Sequence, residues 1–105
     1  MGLHIVLYGG IMDLYKYFRK EEEISKFKAN PNITPGQKIH MLQMERSVLK
    51  IRIAISMLDE FEQKFIIAMF KLKMSIGEIE KAFYISRRKV YSLKKEILEK
   101  VQVYV

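Results

Sequence analysis

Cysteine is absent from the 105 residues. That excludes disulfides, thiolate nucleophiles and cysteine–zinc sites together, and it fits a reducing, cytoplasmic setting. Histidine is scarce. His4 and His40 are the only two, and neither has a carboxylate at a spacing that suggests a site. No glycine-rich phosphate loop is present, because Gly9-Gly10 stands alone and reads as a turn. Long apolar runs are also missing. The opening MGLHIVLYGG is too short to span a bilayer and has no basic leader, and Gly2 lacks the Ser or Thr that a myristoylation signal places downstream. The expectation from these absences is a protein that is not an enzyme and has no cofactor, metal or membrane anchor.

What remains is a globular balance. Half of the residues are hydrophobic and 30% are charged, enough for one modest core in a chain of this length. Two prolines and five glycines leave room for long helices. The formal net charge of +7 favours polyanionic partners.

Residues 3–8 read as a short strand or an apolar helical turn, ended by Gly9-Gly10. Asp13 then caps a helix to about Phe27, with Leu14, Tyr17, Phe18, Ile24 and Phe27 at helical spacing. Glu21-Glu22-Glu23 reads as a solvated face. Ala29-Asn30-Pro31-Asn32 is a loop, followed at once by a helix start: Thr34 as N-cap, Pro35 in the first position and Gln37 closing a capping box. This helix is expected to reach about Leu58. Met41, Met44, Val48, Ile51, Ile55 and Leu58 alternate spacings of three and four, forming a heptad seam. Leu42, Leu49 and Ile53 widen it. One side can pack on the first helix while the other meets a second chain, or the whole stripe can be intramolecular core. Both readings stand at this point.

Asp59 and Glu62 form the next capping box, for a helix through about Leu72. Acids there could be imagined as metal ligands, but in a first helical turn they are ordinary capping chemistry. Ser75 and Glu78 repeat the pattern for a short helix to Phe83 or Tyr84. Ser86 caps a last helix running to about Val101. The expected fold class is therefore all-α: a helical hairpin arm over 1–58, then a tri-helical module over 59–105.

The stretch from Ser75 to Ile97 reads as short helix, tight turn, longer helix. Ile79, Phe83, Ile85, Val90, Leu93 and Ile97 supply the apolar positions by which a helix-turn-helix packs. The outward face of the last helix is then Arg87, Arg88, Lys89, Tyr91, Ser92, Lys94 and Lys95, five of these seven being cationic. Cations placed directly after an N-cap oppose the helix dipole, so stability alone would select acids there. Such a helix suits a major groove. Its arginines match the paired acceptors of guanine, its lysines match phosphates, and its N-terminus with the Ser86 hydroxyl can hold a phosphate.

From about Ile55 to Val101 the chain resembles region four of bacterial sigma factors, and the small regulators that share its fold. The matching residues are Leu58-Asp59-Glu60, Ser75, Ile79, Ile85-Ser86-Arg87 and Val90-Tyr91. The preceding helix, with Glu45 and its repeated Ile and Leu positions, resembles phage late-gene activators of the ArpU and RinA type. These resemblances imply a phage- or prophage-encoded, sequence-specific transcriptional regulator. They place Arg87, Arg88 and Ser92 at bases and Lys89 and Lys95 nearer the backbone of double-stranded DNA. The partners implied are that DNA, RNA polymerase and, through the seam, a second copy of the chain as a homodimer. Two positions depart from the pattern. Glu80 stands where a small residue is usual, and Tyr84 where a glycine is usual. A positive φ at Tyr84 would be costly, so a longer or differently shaped turn is expected. The pair supports a competing reading, in which a degenerate helix-turn-helix binds an acidic surface on polymerase, a sigma factor or another regulator. A subunit of phage packaging machinery would use the same DNA chemistry, with the helix-turn-helix more usually ahead of the oligomerising helix.

Overall fold

Each helix after the first starts at a side chain that can close its open end. The computed structural model describes residues 2–103, with side chains from Leu14 onward. In it Gln37 N–H donates to Thr34 Oγ1 at 3.2 Å while Thr34 N–H donates to Gln37 Oε1 at 2.9 Å. Asp59 and Glu62 make the same reciprocal pair, as do Ser75 and Glu78. Each cap satisfies amides that have no partner inside the helix and contributes about 1 kcal/mol. The order is α1 Gly2–Ala29, α2 Pro35–Ser56, α3 Glu60–Ile66, α4 Ile76–Phe83 and α5 Arg87–Gln102, with no strand among the described residues. The protein is all-α.

Two sequence expectations are corrected at the start of the chain. α1 is continuous from Gly2, so residues 3–8 form neither a strand nor an isolated turn, and Gly9-Gly10 does not end it. Asp13 consequently lies inside the helix rather than at its cap. Glycine costs a helix interior about 1 kcal/mol relative to alanine but does not forbid it, and here a long helix runs through the pair.

The helix expected through Leu72 also changes character. After α3 the backbone widens into a π-helical segment, Ile67–Lys71, in which Leu72 N–H reaches Ile67 O at 2.9 Å. Ala68, Met69 and Phe70 are all buried. The extra residue in the turn lets three successive side chains face the core, which ordinary helical spacing does not favour.

α1 and α2 form an antiparallel hairpin. Tyr17 and Ile24 pack on Met41, Met44 and Val48, flanked by half-buried Phe18, Phe27, Ile51 and Ile55. A second core joins the end of the hairpin to the C-terminal helices. It unites Leu14, Ala54 and Leu58 with Phe65, Ile66, Met69, Phe70, Ile79, Val90, Leu93 and Ile97. The edge-on contact of Tyr15 with Phe70, centroids 4.9 Å apart, lies over the same junction. The heptad seam is therefore seated within the chain. Leu42, Leu49 and Ile53 stay exposed on the opposite side of α2.

Glu21 is not part of a solvated face. The hairpin brings it opposite Arg52, whose Nε and Nη2 donate to the two carboxylate oxygens at 3.2 and 2.6 Å. Tyr17 Oη donates to the same carboxylate at 3.1 Å. Burial alone would raise the Glu21 pKa, but the bonds from Arg52 and Tyr17 outweigh it and hold the carboxyl below its ordinary value of 4.5. Burial, followed by the Glu21 charge, pushes the Tyr17 phenol up to about 12. A carboxylate with a lowered folded pKa stabilises fully above its unfolded pKa and loses that contribution as pH falls through the folded value. Glu21→Gln should lower stability at neutral pH by about 1 kcal/mol, a modest figure because the pair is partly exposed and screened. Thermal melts of both proteins from pH 7 downward check this: the gap should be constant above pH 4.5 and close below it.

Candidate nucleic-acid interface

α4 and α5 are joined by three residues, Tyr84, Ile85 and Ser86. Tyr84 adopts φ 55° and ψ 47°, the left-handed conformation that ends many helices. Its N–H and that of Ile85 both reach Glu80 O, closing the C-terminus of α4. The longer or differently shaped turn expected from the missing glycine does not occur. Tyrosine occupies the glycine conformation and bears its steric cost, of order 1–2 kcal/mol. Its ring makes no offsetting contact, being 93% exposed.

Behind the turn the packing is dense. Ile79 and Val90 are fully buried against one another's helices, and Phe83 lies across α3 with its ring 5.5 Å from Phe61 and 5.8 Å from Phe65. Glu62, the buried carboxylate of the α3 capping box, also accepts a hydrogen bond from Lys100 Nζ, which ties the start of α3 to the end of α5. That bond, rather than burial, holds the Lys100 pKa above its ordinary value. Glu60 pairs with Lys64 on the surface at 3.2 Å. The acids at 59–62 are thus engaged in capping and ion pairs, and no cluster of three metal-ligating side chains gathers among the described residues.

Val90, Leu93, Ile97, Leu98 and Val101 face the core. At 3.6 residues per turn the opposite line of α5 is Arg88, Ser92, Lys95 and, near the C-terminus, Glu99, and all four are exposed. Lys89 and Tyr91 flank this line and are exposed, whereas Lys94, expected on the same face, is not on it: four residues after Val90 and four before Leu98, it is half-buried on the core side of α5. Ser86 caps the helix by accepting from Lys89 N–H at 3.2 Å. Neither Arg88, Lys89 nor Lys95 forms an ion pair among the described residues.

Arg87 differs. Its Nε donates to Glu80 Oε1 at 3.2 Å, linking the two helices across the turn. The residue that departs from the helix-turn-helix pattern is accommodated by running along this edge, where its carboxylate engages the first arginine of α5. Sequence reasoning named both residues and missed their contact. The seven-residue separation crosses a turn, so no periodicity within one helix reports it.

No family model, curated protein or solved structure matches this chain. No helix among the described residues is long and apolar enough to cross a membrane.

Relieving the left-handed tyrosine is a direct test of the turn. Tyr84→Gly should raise stability by about 1 kcal/mol, and hence the melting temperature by roughly 4–8 °C. Tyr84→Ala, which keeps the Cβ penalty, should leave both nearly unchanged. Calorimetry of the three proteins checks it.

Proposed function

We propose that the protein is a sequence-specific DNA-binding transcriptional regulator that presents α5 to the major groove. The observation that carries this reading is the outward line Arg88–Ser92–Lys95 with Lys89 beside it. These cations stand uncovered on a helix that a tight turn and a buried core hold in a fixed orientation. Arg88, in the first turn of α5, has the reach and the paired donors to read guanine. Lys89 and Lys95 neutralise phosphates, and Ser92 adds a hydroxyl to the same line. Arg87 contributes a phosphate contact from the edge once it exchanges Glu80 for DNA. Tyr91 lies where it can touch the sugar–phosphate wall. The role is binding rather than catalysis, and RNA polymerase is the natural second partner of a regulator of this type.

The turn geometry supports this reading over the competing one, a helix-turn-helix spoiled by Glu80 and Tyr84. Both residues are accommodated in a turn of ordinary shape.

Duplex DNA titrated at several salt concentrations tests the proposal. The variant with Arg87, Arg88 and Lys89 changed to Ala should lose about one unit of the log–log salt slope for each phosphate contact it gives up. If wild type does not bind, or both bind alike, α5 is not a DNA-reading helix and its basic face meets protein instead. On a selected operator, Arg88→Ala should relax preference at one base pair at a cost of about 1–3 kcal/mol. Equal loss on every sequence would make Arg88 a phosphate contact.

A further inference from the structure

The outer face of α2 is apolar where nothing requires it to be. Ile39, Leu42, Leu49 and Ile53 are between 48% and 58% exposed, and Met57 extends the row. Single exposed apolar residues are ordinary. These fall on one line, spaced three, seven and four apart, on the side of α2 away from α1. Between Ile39 and Ile53 the line is about 21 Å long, matching about two heptads of a helical partner. Arg46 fills the one gap in the row.

The charges around the row decide what can cover it. Lys38, Arg46 and Lys50 are all exposed, and none forms an ion pair among the described residues. The sole acid of α2, Glu45, is engaged by Lys28 of α1 at 2.7 Å. The unpaired charges of the rim are therefore all cationic. A second copy fits poorly. In a parallel pair Arg46 and Lys50 would each meet their own counterparts. In an antiparallel pair centred on the row the two Arg46 side chains would again coincide, because Arg46 is its midpoint. Like charges brought together as water leaves an interface are strongly unfavourable. Nucleic acid would satisfy the cations but leave four large aliphatic side chains without apolar partners.

We infer that this face docks an acidic amphipathic helix of a partner protein. Its apolar stripe would lie on Ile39, Leu42, Leu49 and Ile53, and its flanking Asp or Glu residues would meet Lys38, Arg46 and Lys50. Such helix-on-helix recognition uses apolar anchors one turn apart, with charge setting the choice of partner. The site is distinct from α5 and does not depend on the DNA-binding proposal.

The test uses the full chain and a labelled three-heptad peptide with Leu at its a and d positions and Glu at every e and g position. A matched peptide carrying Lys at e and g is the control. The Glu peptide should bind wild type in fluorescence anisotropy and the Lys peptide should not. Leu42→Ser with Leu49→Ser should weaken binding by about tenfold or more, as should Arg46→Glu alone. Arg88→Ala with Lys89→Ala should leave it unchanged. All of these positions are exposed, so far-ultraviolet dichroism and melting should match wild type. No binding of the Glu peptide, equal binding of both peptides, or a loss confined to the α5 variant would overturn the inference. So would a wild-type dimer in sedimentation that the serine substitutions dissociate, which would assign the face to a second copy. If the α2 variants reduced the salt slope on duplex DNA, the face would belong to nucleic acid instead. The DNA titration of wild type is read separately, so failure of either proposal leaves the other intact.

Discussion

An α-helix begins with amide groups that have no partner within it, and a chain built from several short helices meets that deficit repeatedly. Here Thr34, Asp59, Ser75 and Ser86 each accept an amide of the first turn, and three of the four receive a carboxyl or carboxamide in return from the residue three places on. These contacts fix where α2 to α5 start. The start points set which side chains of each helix face inward, and so place Ile79 against Val90 and turn Arg88 to the outside. α1 carries no acid in its first turn. Its described part is held by the hairpin, through Tyr17 and Ile24 in the core and Glu21 on Arg52.

This arrangement explains what could be read from sequence. A capping box is a local event, with donor and acceptor three residues apart, so the pairs Thr34/Gln37, Asp59/Glu62 and Ser75/Glu78 announce themselves. The buried stripe of α5 and the all-α class follow from periodicity in the same way. Features that depend on tertiary contact were invisible. Glu21 looks like the first of three solvated acids until the hairpin sets Arg52 opposite it. Glu62 looks like a cap alone until α5 brings Lys100 to it. Gly9-Gly10 looks like a stop because glycine penalises helices, but a penalty of about 1 kcal/mol each does not forbid a helix through the pair. The widening after Ile66 has no signature in residue type, since Ile67 to Lys71 are ordinary helix residues.

Among the described residues three surface features differ in chemistry. α5 shows a cationic line with a hydroxyl in it. The outer face of α2 shows an apolar row rimmed by cations. The turn between α4 and α5 shows a tyrosine whose backbone is held against its preference and whose ring is in water. Folding alone accounts for none of the three. They lie on a framework whose two cores share the hairpin, so that displacement of α1 would be felt at α3 and α5 as well as at α2.

The link between Arg87 and Glu80 carries a further consequence. It places an anion in contact with the first arginine of the helix, and charges this close offset one another over a distance far shorter than that at which dissolved ions screen. The field that reaches into solvent from this end of α5 is therefore chiefly that of Arg88 and Lys89, and a count of arginines and lysines overstates it.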